Sequence, residues 1–113
     1  MAKNTGLTCH SIDYRLAPEH PYPAALDDAL TAWQGIVDSH PEHKIILSGD
    51  SAGGGLSLAL MMRLRAEGSR LPDAAVLFSP WTDLTCQGES YVTKARVEPM
   101  VTPAMPRDCS HYY

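Results

Sequence analysis

Residues 49–53 read Gly-Asp-Ser-Ala-Gly, a match to G-x-S-x-G. A serine in this frame suits nucleophilic catalysis when a strand precedes it and a helix follows. The turn is then sharp, and Ser51 sits at its tip in a strained conformation with its hydroxyl exposed. Gly49 and Gly53 remove side chains where the two elements would collide. Gly54 and Gly55 let the helix pack close to the sheet. The backbone N–H of Ala52 would face the oxyanion formed when a carbonyl is attacked, aided by the helix N-terminus. Asp50, the variable residue of the motif, points away from a substrate. The competing reading is a glycine-rich turn whose serine only caps the helix. A phosphate loop does not fit, because no Gly-Lys-Ser or Gly-Lys-Thr follows.

The flanking sequence supplies the elements that this turn needs. Lys44 to Ser48 contains Ile-Ile-Leu bounded by turn residues, a strand buried on both faces as in a parallel sheet. Leu56 to Leu64 reads as a helix apolar nearly all round, hence buried, with Gly68 as its cap. Upstream, Leu26, Ala29, Leu30, Trp33, Ile36 and Val37 recur at helical spacing within Ala24 to Val37. Pro23 suits the first position of that helix, and Asp27 and Asp28 lie near its positive end. Ala74 to Phe78 is a further buried strand, stopped by Pro80, and Leu7 to Leu16 is the remaining strand candidate. The order strand-helix-strand-helix-strand over residues 1–84 predicts an α/β fold, its parallel strands joined by crossover helices on one sheet face. Two proline clusters, Pro18, Pro21, Pro23 and Pro99, Pro103, Pro106, mark loops. Residues 85–113 read as irregular, with at most a short helix near Glu89 to Ala95.

Hydrophobic residues make up 44% of the 113 and charged residues 19%, as in one globular domain rather than a disordered chain. The net charge is −4 and the nine basic residues form no run, which excludes a basic nucleic-acid or membrane-surface patch. Leu56 to Met62, the longest apolar stretch, is too short to span a bilayer. The N-terminus has no apolar signal region, so a cytoplasmic location is expected. Cys9, Cys86 and Cys109 are an odd, sparse set, not a disulfide framework.

Ser51 needs a base. His10 lies in the candidate strand and His20 in a loop, while His40 and His43 flank Pro41 at the far end of the elbow strand. His111 is the one histidine downstream of Ser51, in a tail that could reach back. Asp83 is the acid candidate, since it follows the last strand on the edge where Ser51 emerges. Its plainer reading is a turn aspartate after Pro80-Trp81. Glu19, Asp27 and Asp28 are loop and helix-terminus charges. Neither His40 with His43 nor Cys109 with His111 has a companion at zinc spacing, so no metal or cofactor is expected. Trp81 either lines an acyl pocket or packs in the core.

Asp13-Tyr14-Arg15-Leu16-Ala17-Pro18-Glu19-His20-Pro21-Tyr22-Pro23-Ala24-Ala25 resembles the segment before the elbow in the hormone-sensitive-lipase-like α/β-hydrolases. Gly49-Asp50-Ser51-Ala52-Gly53-Gly54 is the form of the elbow typical of that family. Ser79-Pro80-Trp81-Thr82-Asp83-Leu84 is similar to the stretch after its next strand, and Glu98-Pro99-Met100-Val101-Thr102-Pro103 to a segment further along. The resemblance implies a carboxylesterase or lipase-like hydrolase of small-molecule esters, with Ser51 as the acylated nucleophile and no cofactor.

The same resemblance implies parts that this sequence lacks. The family carries a His-Gly-Gly-Gly oxyanion loop upstream, and its triad runs serine, then aspartate or glutamate, then histidine on later strands. It also places a strand between those corresponding to Leu7–Asp13 and Lys44–Ser48. The expected fold is therefore a partial α/β-hydrolase with an open slot in its sheet, which invites self-association through unpaired strands. Arg107 to Tyr113 depart from the family pattern, as a truncated or frameshifted end would. Turnover is expected to be weak or absent without the triad histidine. The alternative is a non-catalytic remnant that binds a small ligand or a partner. The plant gibberellin receptors, which resemble this family and lost catalysis, are the precedent.

Overall fold

Two short strands and two long helices carry the structure, a computed structural model that describes residues 2–102 and 104–112. Pro103 of the second proline cluster and Tyr113 of the tail lie outside the described residues. The helices are α1 (Ala2–Thr5), α2 (Ala24–Ser39), α3 (Ala52–Ala66), α4 (Ser90–Thr93) and α5 (Ala104–Tyr112). The strands are β1 (Ile46–Asp50) and β2 (Ala74–Phe78). They pair in parallel, from Ile46 opposite Ala74 to Asp50 opposite Phe78. The crossover helix α3 packs on both strands, and α2 packs on α3. Among the described residues, α1, α4 and α5 pack against no other element.

The helical spacing read in α2 builds the core. Leu26, Ala29 and Trp33 meet Leu60 and Leu64 of α3, and Ile45 and Leu47 pack against this cluster. Leu64 is wholly inaccessible, at 0% exposure. The Trp33 indole N–H donates to the Arg70 carbonyl at 3.1 Å. The Arg70 guanidinium in turn donates to the carbonyls of Pro41 and His43, at 2.7 and 2.6 Å. This ties the approach to β1 to the approach to β2. Gly68 ends α3 as its position predicts. With φ at +65°, its N–H reaches the Arg65 carbonyl and the Ser69 N–H reaches that of Leu64, closing the helix.

Both long helices and β2 fall where the sequence places them, and β1 starts two residues later than Lys44. Four expectations change. Residues 7–16 form no strand, because extended chain needs a ladder partner and no described strand lies beside it. The expected three-stranded core is thus a two-stranded sheet. That sheet buries one face, not two. Leu47 turns to the helices, whereas Ile46, Val76 and Phe78 lie exposed on the other side, Phe78 by 49%. Helix α3 is not buried all round either, since Met62 is 73% exposed. Finally, the tail contains α5 rather than irregular chain only. Pro106 lies in its first turn, where the missing N–H has no intrahelical partner to lose. The total accessible surface is 8363 Å², against about 6100 Å² for a compact monomer of 12.3 kDa.

An ion pair ties the residues before α2 to that helix. The Asp28 carboxylate accepts the Arg15 backbone N–H at 2.9 Å and its guanidinium at 2.8 Å. The Arg15 guanidinium and backbone N–H hold the Asp28 carboxyl down to about 2. A lowered carboxyl stabilises the fold above its unfolded value, and the contribution fades as pH falls from about 4 towards 2. The pair is solvent-accessible, so the effect is small. Asp28→Asn should therefore melt earlier than the wild type near neutral pH, with the gap closing on acidification. A gap that persists at the acid end would assign the contact to packing rather than charge.

Candidate active site

Strand β1 runs into Ser51, the residue that caps α3, with φ 51° and ψ −116°. Few non-glycine residues adopt this left-handed backbone, and the cost is held only where surroundings over-determine it. The surroundings are visible in the backbone bonds. The Ser51 N–H continues the ladder to the Phe78 carbonyl at 2.9 Å. Its carbonyl accepts the N–H of Gly55 at 3.1 Å and that of Trp81 at 2.9 Å. The side chain makes no capping hydrogen bond, so the plain cap reading does not describe this hydroxyl. Ser51 is exposed. The Ala52 N–H opens the helix and has no acceptor within it.

The glycines divide into two kinds. A Cβ on Gly49 would lie 2.3 Å from the Gly53 carbonyl oxygen, and one on Gly55 would lie 2.2 Å from that of Trp81. A Cβ on Gly54 would meet Pro80 Cβ at 2.8 Å. Gly53 has nothing within 4 Å of its Cβ position, so the collision expected there does not arise among the described residues. Gly49→Ala and Gly55→Ala should each lose about 1–3 kcal/mol in urea unfolding, because backbone atoms must move. Gly53→Ala should be neutral or gain up to about 1 kcal/mol from helix propensity. Equal losses at Gly53 and Gly49 would contradict this packing.

The chain after β2 crosses the elbow. Ser79 is a second non-glycine residue in the left-handed region, at φ 41°, one step beyond the Asp50–Phe78 pair. Its turn brings Pro80 against Gly54 and Trp81 against Gly55 and Ser51. Sequence reasoning missed this buttress, since serine gives no sign of positive φ and Pro80 read only as a strand stop.

Asp83 lies two residues beyond Trp81, and its carboxylate is engaged in its own turn. It accepts the Thr85 hydroxyl at 2.5 Å and N–H at 2.9 Å, and the Gln87 N–H at 3.4 Å. The Thr85 bonds hold its carboxyl below the usual range. The half-buried Trp81 donates its indole N–H to the Asp83 carbonyl at 3.1 Å. His111 lies in α5, its ring 6.2 Å from that of Tyr112, and α5 packs against neither β1 nor α3. His10, His40 and His43 form a row with ring separations of 6.0 and 5.3 Å. His40 and His43 precede β1, so a strand length of about 17 Å separates them from Ser51. His10 and His40 line an open cavity of about 500 Å³ together with Cys9, Ile12 and Ile36. The structure therefore gathers Gly49, Asp50, Ser51, Ala52 and Gly53 at one turn, and among the described residues no imidazole hydrogen-bonds to Ser51. No described group of side chains could hold a metal ion, and no described helix is long and apolar enough to cross a membrane.

A family model described as the alpha/beta hydrolase fold matches residues 1–113. An acetyl-hydrolase of Streptomyces hygroscopicus is 39% identical over 109 residues, which cover 96% of this chain and 36% of the relative. The hormone-sensitive lipase of Mus musculus is 34% identical over 110 residues, covering 93% of this chain and 14% of the lipase. A solved esterase from the bacterial hormone-sensitive lipase family superposes with a TM-score of 0.83 at 42% identity, over 89% of this chain and 34% of its own. The chain thus spans 36% or less of each of these relatives. With two parallel strands joined by a helix, a strained serine at the turn and these matches along its length, the chain belongs to the hormone-sensitive lipase family of α/β hydrolases.

Proposed function

We propose that this chain carries the nucleophile elbow of a carboxylic ester hydrolase, with Ser51 as the acylated nucleophile and the Ala52 N–H as one oxyanion donor. The observation that carries this reading is the backbone of Ser51, held at φ 51° with its side chain free of any capping bond. In the reaction, the Ser51 oxygen attacks the ester carbonyl and the oxyanion settles against the Ala52 N–H. The alcohol leaves, and water then releases the acid from Ser51. Both halves need a group that takes a proton, first from Ser51 and then from water. Asp83 and His111 are the candidates for acid and base. Asp83 must give up its bonds to Thr85, and His111 must cross with α5, before either can serve. Ser51 is accordingly a weak nucleophile in this chain.

Intact mass after treatment with a fluorophosphonate tests the assignment. A single adduct should form, and Ser51→Ala should lose it. No adduct on a chain that still unfolds cooperatively would refute the nucleophile role. It would favour the second reading, a non-catalytic remnant that binds a small ligand or a partner.

A further inference from the structure

We infer that the backbone N–H of Trp81 is a positioning group for the oxyanion site: by bonding to the Ser51 carbonyl it aims and polarises the Ala52 N–H on the far side of the same peptide. The inference rests on the assignment of Ala52 as an oxyanion donor. The peptide joining Ser51 to Ala52 is planar and trans, so its C=O and N–H point in opposite directions. Whatever fixes the carbonyl fixes the donor. That carbonyl has two lone pairs. Gly55 takes one at 3.1 Å, the ordinary first bond of a helix. Trp81 takes the other at 2.9 Å, and it comes from a different element.

Three features of the chain deliver the Trp81 N–H. Ser79 turns the backbone through positive φ at the end of β2. Pro80 has no N–H to compete for the same acceptor. Gly55 lacks the Cβ that would sit 2.2 Å from the Trp81 carbonyl oxygen. Swinging the peptide away from its present plane breaks the Trp81 bond. Donation into the carbonyl also draws amide density towards oxygen, which makes the Ala52 N–H a stronger donor.

Replacing Trp81 by its α-hydroxy acid turns this amide into an ester and keeps the indole; ligation at Cys86 gives access to such a chain. Fluorophosphonate labelling of Ser51 should slow about tenfold, the worth of one hydrogen bond. The Ala52 amide nitrogen resonance should move upfield. The same exchange at Val97, whose N–H donates to the Lys94 carbonyl at 2.9 Å, should move neither. A folded ester chain with an unmoved Ala52 resonance, or with the resonance moved and labelling unslowed, overturns the inference. If the unmodified chain takes no label, the nucleophile reading falls and the Ala52 resonance alone decides the positioning role. If the ester chain does not fold, the through-bond coupling between the Trp81 nitrogen and the Ser51 carbonyl carbon decides in the unmodified chain. Its presence supports the contact and its absence ends the proposal.

Discussion

On a short p-nitrophenyl ester, this chain should turn over about 10⁴- to 10⁶-fold more slowly than a longer relative such as the acetyl-hydrolase, the deficit expected where no histidine reaches the serine. On the proposed assignment, Ser51 supplies the attacking oxygen and the Ala52 N–H one donor. Neither removes the proton from Ser51. His111 contacts Tyr112, and the His10, His40, His43 row lies across the length of β1. Asp83 spends its oxygens on Thr85 and Gln87. Side-by-side initial rates on the same ester check this. A rate within about a hundredfold of the relative would mean that a base reaches Ser51 after all. Loss of that rate in His111→Ala would identify it. Survival of the rate would point to a second chain.

Trp33→Ala should lower the melting midpoint by more than about 10 °C. Trp33 is 4% exposed and sits between Leu26 and Ala29 on its own helix and Leu60 and Leu64 on the next. Truncating a buried tryptophan costs about 3–5 kcal/mol, against native stabilities of about 5–15 kcal/mol. It also strands the Arg70 carbonyl, whose partner is the indole N–H. The clamp from Arg70 to Pro41 and His43 loses its support in turn. Met62→Ala, on the open side of α3, should change the midpoint little. Thermal melts followed by circular dichroism separate the two. A Trp33→Ala chain with the wild-type midpoint would show that α2 contributes nothing to holding the sheet.

Much of the fold was legible because its signals are local. Helical spacing marked α2, β-branched and apolar runs marked the strands, and Gly68 marked the end of α3. The failures are tertiary. Leu7 to Leu16 has the composition of a strand, but hydrogen-bond pairing makes a strand, and composition cannot show a missing neighbour. Ile46 and Leu47 look alike in sequence, yet one faces α3 and the other faces open space, because burial of a sheet depends on what covers each side. Pro106 suggested a loop, although proline is welcome in a first turn. At the candidate site, the motif and its glycines marked where close packing is needed at Gly49, Gly54 and Gly55, and misplaced it at Gly53. Gly49 and Gly55 answer to backbone atoms at close range, while Gly53 answers to none. The grip of Trp81 on Ser51 had no signal, since a backbone N–H is the same in every residue but proline.

The bare side of the sheet has a calorimetric consequence. Heat capacity rises on unfolding because apolar surface meets water, by about 12–15 cal/mol/K per residue in ordinary globular proteins. Here Ile46, Val76 and Phe78 already meet water in the native state, within an accessible surface of 8363 Å². Less remains to be exposed, so the heat-capacity step per residue falls below that range. Denaturant sensitivity, which scales with the same newly exposed area, falls with it. The stability curve flattens, and the chain resists cold better than its modest core suggests. Anything that covers this face steepens the curve again.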